Sequence, residues 1–238
     1  DEDLIPSYPS PVPGFFNIGL LHTSLTGRAG HDTYAPTDLP TLINKGFDYW
    51  ALGHVHAREL LCERPRILFP GNLQGRHAKE TGAKGCELVT VEAGRIESEF
   101  LALDVVRWSQ VAVPLDGVHR LDALGEAFRR ALDPVLAGAG DRLHAVRVTL
   151  TGSTELHRLE AAQPGTLAAA MHAAAQDIGT AEIWIEQVRL DLSTPLDRAQ
   201  AAQRQDAVGE LVRLVDTIAG ADQELMRRAQ GERGDLGG

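Results

Sequence analysis

Three histidines hold the residue types and spacing best suited to chemistry. His22 closes a short apolar run from Phe15, and His54 and His56 follow a second run, Phe47 to Leu52, as Gly53-His54-Val55-His56. Neutral imidazole is a common ligand for transition metals, and two histidines two residues apart on a loop can turn into one site. A strand–helix–strand unit places the loops after both strands on one sheet edge, where ligands gather. Gly53 removes a side chain where backbone must approach closely. Metal ligation by His22, His54 and His56 is the expectation; for an isolated His-X-His the alternative is a surface pair.

The elements that must position these residues follow from pattern. Residues 1–14 hold four prolines and read as an extended connector. Phe15–His22 and Phe47–Leu52 are buried-strand candidates, separated by a loop over 23–36 and a helix over Asp38–Asn44, with Thr37 as N-cap and Gly46 as stop. Ile67–Phe69 is a third short strand, closed by Pro70-Gly71-Asn72. Glu87–Val91 and Arg95–Leu103 flank Ala93-Gly94 as a hairpin. A second unit opens near Trp108, with strands Gln110–Leu115, Ala145–Leu150 and Glu182–Leu192 and helical stretches 121–136 and 155–176. In the last strand the apolar parity shifts from Ile183/Ile185 to Val188/Leu190/Leu192, which predicts a bulge near Glu186-Gln187. Beyond Pro195 a polar helix carries the stripe Val208, Leu211, Val212, Val215 and Ile218. The tail from Gly231 to Gly238 is too glycine-rich and charged to pack.

Composition narrows the function classes. The chain has 238 residues, 43% hydrophobic and 24% charged, which is ordinary globular usage and excludes wholesale disorder. No apolar stretch reaches the ~18 residues of a membrane-span candidate, and no secretory signal is visible, so a cytoplasmic protein is expected. Cys62 and Cys86 are too few for a disulfide framework and lack metal-pair spacing. The net charge of −10 is spread over both halves and argues against a free-standing clamp on nucleic acid. A bound divalent cation would add local positive charge that such counting omits. The sequence begins at Asp1 and not methionine, so an upstream segment is expected.

Three segments together resemble a known family: Leu21-His22-Thr23-Ser24; Asp48-Tyr49-Trp50-Ala51-Leu52-Gly53-His54-Val55-His56; and Phe69-Pro70-Gly71-Asn72-Leu73-Gln74-Gly75-Arg76-His77. In this order, with Lys84-Gly85-Cys86-Glu87-Leu88-Val89 after them, they resemble the calcineurin-like metallophosphoesterases, and more narrowly the SbcD/YhaO-type DNA-repair exonucleases. The resemblance implies a two-metal phosphodiesterase, usually manganese-dependent, with His22 and His54 on one ion and His56 on the other. Two such ions bridge a hydroxide nucleophile and stabilise the attacking and leaving oxygens of an in-line displacement. The family's Asp-X-His, Gly-Asp and Gly-Asn-His-Asp motifs do not occur before His22. No complete catalytic set is therefore expected in this chain, which would be inactive alone.

The implied fold is α/β: the C-terminal half of a metallophosphoesterase β-sandwich with flanking helices, plus a small α+β cap domain. The implied division is a connector over 1–14, a partial catalytic domain over 15–108 and the cap over 109–194. A helical extension or partner-docking arm over 195–230 and a flexible tail over 231–238 complete it. DNA is the implied substrate, and an SMC-like ATPase subunit the implied partner of the arm. Open sheet edges predict that the isolated chain dimerises, aggregates or orders only in part. Two other functions fit the sequence: a non-catalytic DNA-binding or assembly module, and a metallophosphoesterase acting on a small phosphoester.

The remaining candidates are weaker. Arg76, with His77 beside it, could approach substrate phosphate or could be a structural arginine on a loop carbonyl. His31, His119, His144, His157 and His172 read as solvated, Cys62 as a packing or exposed thiol, Trp108 and Trp184 as core or junction residues, and Arg147 and Arg189 as outward strand arginines.

Overall fold

The computed structural model describes residues 2–26, 34–137, 140–179, 182–196 and 198–234, so His31 lies outside the described residues. The first sheet grows from two parallel strands, β1 (Ile18–His22) and β2 (Tyr49–Gly53), in register from Ile18 opposite Tyr49 to His22 opposite Gly53. β4 (Arg66–Phe69) pairs parallel with β2, and β3 (Glu59–Cys62) pairs antiparallel with β4, giving the order β1-β2-β4-β3. Parallel neighbours need a crossover, and α1 (Leu39–Asn44) lies within it. Trp50, Leu42, Ile67 and Phe69 are fully buried in the core beneath this sheet.

Several local expectations change here. The N-cap of α1 is Asp38 and not Thr37: Asp38 is extended and its carboxylate accepts the Thr41 N–H at 2.7 Å, while Thr37 is buried. β1 starts at Ile18, because Asn17 closes the preceding turn through the carbonyls of Val12 and Phe15 and leaves Phe15 exposed. Residues 4–8 are no extended connector. Ile5–Ser7 form a 3-10 turn, Ile5 is buried, and the Tyr8 ring packs on Trp50 at 5.5 Å and donates to the Leu20 carbonyl. β3 had no signal, since its four residues are only partly buried and show no clean alternation.

β5 (Gly85–Glu92) and β6 (Arg95–Ala102) form the expected hairpin around Ala93-Gly94. The second unit contains β7 (Val106–Pro114), β8 (Leu143–Ser153) and β9 (Ile183–Ser193), all parallel in the order β7-β8-β9. An α+β cap is therefore corrected to α/β. α2 (Leu124–Leu136) crosses from β7 to β8, and α3 (Leu156–Ala162) with α4 (Thr166–Gln176) crosses from β8 to β9. α2 packs on α4, and both lie on one face of the sheet over Val113, Val146, Val148 and Leu150.

The helical stretch expected over 155–176 is present as two helices that part at Pro164-Gly165, where Gly165 has φ +91° and the Glu160 carboxylate accepts the N–H groups of Gly165 and Leu167. The bulge in β9 is present: Val146 faces Ile185, Arg147 faces Gln187, and Glu186 is left over between them.

Past Pro195 come α5 (Arg198–Ala202) and α6 (Ala207–Gly234), so the helix runs into the segment expected as tail. Ala201 and Val212 are buried, but Val208, Leu211, Val215 and Ile218 of the apolar stripe are exposed. No helix among the described residues is long and apolar enough to cross a membrane.

Candidate metal centre

The parallel pairing of β1 with β2 brings His22 to the end of one strand and Gly53 to the end of its neighbour. A Cβ on Gly53 would lie 2.8 Å from His22 Nδ1, so only glycine leaves the His22 ring room to lie across β2. His54 follows with φ +95°, a backbone conformation uncommon for a residue with a side chain and one that collects at functional sites. The outcome is a contact of 3.3 Å between His54 Nδ1 and His22 Nε2, with the rings edge-on at 88°. Tyr34, whose backbone is held by Ser24, lies parallel to the His54 ring and edge-on to His22.

That separation can be checked against metal chemistry. Two imidazole nitrogens at about 2.0–2.1 Å from one ion in a tetrahedral arrangement stand about 3.3–3.4 Å apart. The His22–His54 pair therefore fits one cation as half of a ligand set. Among the described residues, no group of three or more His, Cys, Asp or Glu side chains is placed to hold one ion.

His56 belongs to a second cluster built on the turn after Gly71. Its Nδ1 lies 2.8 Å from Glu80 Oε1. The Glu80 carboxylate is only 9% exposed and also takes the Arg76 backbone N–H at 2.8 Å, the Asn72 amide at 3.0 Å and the Arg76 guanidinium at 3.2 Å. Burial pushes the Glu80 carboxyl up, but these hydrogen bonds outweigh it and hold the group at about 2. The Arg76 side chain contacts Glu80 and His56 and not a loop carbonyl, so the structural-arginine alternative takes a different form, while the guanidinium stays largely exposed. His77 lies further out, 3.7 Å from Glu80. A cavity of about 570 Å³ opens beside His56, lined by Arg76, His77, Lys79, Glu80 and Lys84.

Residues 72–84 are held from the second unit. Gln74 bonds the backbone of Val105 and Val106, the Trp108 indole donates to the Gly75 carbonyl at 2.9 Å, and Gln110 donates to the Ala78 carbonyl at 2.7 Å. Trp108 is therefore the junction residue expected of it, and Trp184, though half exposed, packs edge-on against its ring at 6.1 Å. Arg147 is paired with Glu186 at 2.7 Å, the residue left over by the bulge. His144 and His157 are not surface residues: His144 is fully buried, and His157 meets the Thr194 hydroxyl at 2.8 Å. Cys62 and Cys86 are free thiols.

Glu80, Asn72 and Tyr34 were not singled out from sequence. The available signal for Glu80 was an acid four residues after Arg76, but an irregular turn has no period from which to infer facing side chains.

An α/β scaffold carrying strand-end histidines with metal-ligand separation is the class these observations define, and comparison with known proteins supports the metallophosphoesterase family. Residues 108–193 match the family model described as the middle domain of the metallophosphoesterase YhaO. Over 180 residues the chain is 38% identical to the uncharacterized metallophosphoesterase YhaO of Bacillus subtilis (strain 168), an alignment covering 75% of this chain. It spans 43% of the length of that relative.

Proposed function

We propose that this chain is part of a divalent-metal-dependent phosphodiesterase that degrades DNA from its ends. The observation that carries this is the His22–His54 contact of 3.3 Å at the mouth of two parallel strands, with His56 two residues on. His22 and His54 would hold one ion and His56 a second, manganese being the expected metal. Such ions supply an activated hydroxide and charge neutralisation at the phosphate. The chain's own part is to orient imidazoles, through Gly53 and Tyr34 for the first pair and through Glu80 for His56. Arg76, Lys79 and Lys84 add positive charge beside His56, in a molecule whose net charge is −10.

Alone, the chain is proposed to bind metal incompletely and not to hydrolyse substrate, because His22 and His54 make only half of a four-ligand set. The second unit is proposed to steer DNA, and the exposed apolar stripe of α6 to dock an SMC-like ATPase; deletion from Pro195 should abolish that association, and intact association would remove the docking role.

The test of function is manganese-dependent release of nucleotides from DNA ends by the product of the whole reading frame, compared with a small chromogenic diester. His54→Ala should abolish release. Turnover of the small diester with none of DNA would replace the nuclease with an enzyme for small phosphoesters. Retained release in His54→Ala would remove the metal assignment.

A further inference from the structure

Glu80 touches the candidate centre in a way that its structural contacts do not require. Two of its four donors, the Arg76 backbone N–H and the Asn72 amide, are spent on Oε2 and close the turn. Oε1 faces the other way, to His56 Nδ1 at 2.8 Å and the Arg76 guanidinium at 3.2 Å. An ionised carboxylate only accepts, so the proton on the Nδ1 line belongs to the imidazole. Nδ1 cannot then also accept from Arg76, although Arg76 Nη2 stands 2.9 Å from Nδ1 and 3.3 Å from Nε2. The guanidinium lies against the ring and directs its N–H to Oε1.

We propose that Glu80 is a positioning residue that fixes His56 as its Nδ1–H tautomer, leaving the Nε2 lone pair as the one available to a metal ion. The geometric part stands on these contacts, and the use of Nε2 as a ligand rests on the function proposed above. A ligating histidine whose second nitrogen donates to a carboxylate is held in orientation and made more basic, and loss of that partner costs about 10- to 100-fold in metal affinity. Two features keep Glu80 in place. A Cβ on Gly75 would meet the Glu80 carbonyl at 2.8 Å and the Trp108 ring at 2.9 Å, so the turn requires glycine there. The Trp108 and Gln110 side chains then tie the same turn to β7.

The test is long-range nitrogen–proton NMR of the histidine rings in the full chain near pH 8, where an ordinary imidazole, with its pKa of about 6.5, is neutral. His56 is assigned by the signal lost in His56→Gln. The wild-type chain should show His56 protonated on Nδ1; protonation on Nε2 overturns the proposal without any variant. In Glu80→Gln the amide oxygen stays with the immobile Arg76 backbone N–H and the amide nitrogen turns to His56, so Nδ1 becomes an acceptor and Nε2–H appears. An unchanged tautomer in folded Glu80→Gln overturns the proposal. Arg76→Ala should retain Nδ1–H, and its loss there would move the role from Glu80 to Arg76. Mn2+ titration followed by calorimetry should show about 10- to 100-fold weaker binding in Glu80→Gln. An Nδ1–H His56 in a chain that binds no Mn2+ would uphold the positioning and count against the metal assignment alone.

Discussion

At the scale of single residues, the site depends on what is missing from Gly53 as much as on what His22 and His54 supply. Replacing Gly53 with alanine puts a methyl group 2.8 Å from His22 Nδ1, and the ring must move because strand backbone cannot. Gly53→Ala should therefore weaken Mn2+ binding by about tenfold or more, equivalent to at least about 1.4 kcal/mol, with little change in melting temperature; calorimetric titration checks it, and wild-type affinity would show that His22 is not a ligand. The strand-end positions of His22, His54 and His56 were legible in the sequence because a histidine after an apolar run needs only the strand to be placed. Glu80 and Tyr34 were not, because each reaches the site across an irregular loop. Spacing along the chain carries no information about such contacts.

Elements were legible where a period persisted and obscure where tertiary context decided. Val146, Val148 and Leu150 alternate over the long strand β8, and the parity change in β9 located the bulge because every side chain after an extra residue changes face. β3 was missed for want of alternation, and the α+β label failed although strand–helix alternation itself implies parallel strands. The core beneath α2 and α4 makes a direct prediction: Phe128 is fully buried, and Phe128→Ala should cost about 3–5 kcal/mol in denaturant unfolding.

His144, on β8, has both ring nitrogens buried without a hydrogen-bond partner among the described residues. Burial lowers its pKa from 6.5, and the nearby Arg107 and Arg142 charges lower it further against the opposing Asp104. The unfolded chain then binds the proton more readily, so stability present above pH 6.5 declines as pH falls below it. His144→Leu should remove that slope below about pH 6.5, and at neutral pH be neutral or stabilising, since no hydrogen bond is lost. An unchanged slope would assign the acid sensitivity to other groups.

For the whole molecule, the net charge of −10 and the cationic cavity beside His56 point in opposite directions, and locality decides between them. At physiological salt the Debye length is about 8 Å, so the proposed substrate phosphate would be governed by the groups lining the cavity, Arg76, Lys79 and Lys84 against Glu80, and not by distant carboxylates. The second unit holds the turn that carries Glu80 through the bonds of Trp108 to the Gly75 carbonyl and of Gln110 to the Ala78 carbonyl, which makes the orientation of Glu80 depend on β7. Trp108→Phe keeps the ring but deletes the bond to the Gly75 carbonyl, and should weaken Mn2+ binding at His56 by severalfold; equal affinity would show that the turn holds itself.

The most direct test of the central claim, that His22, His54 and His56 are the metal ligands of this chain, is a Mn2+ titration followed by paramagnetic broadening of the histidine ring signals. Substoichiometric Mn2+ should broaden His22, His54 and His56 first, and His54→Ala should abolish the effect at His22. Broadening confined to the acidic surface, with those three rings sharp, would contradict it.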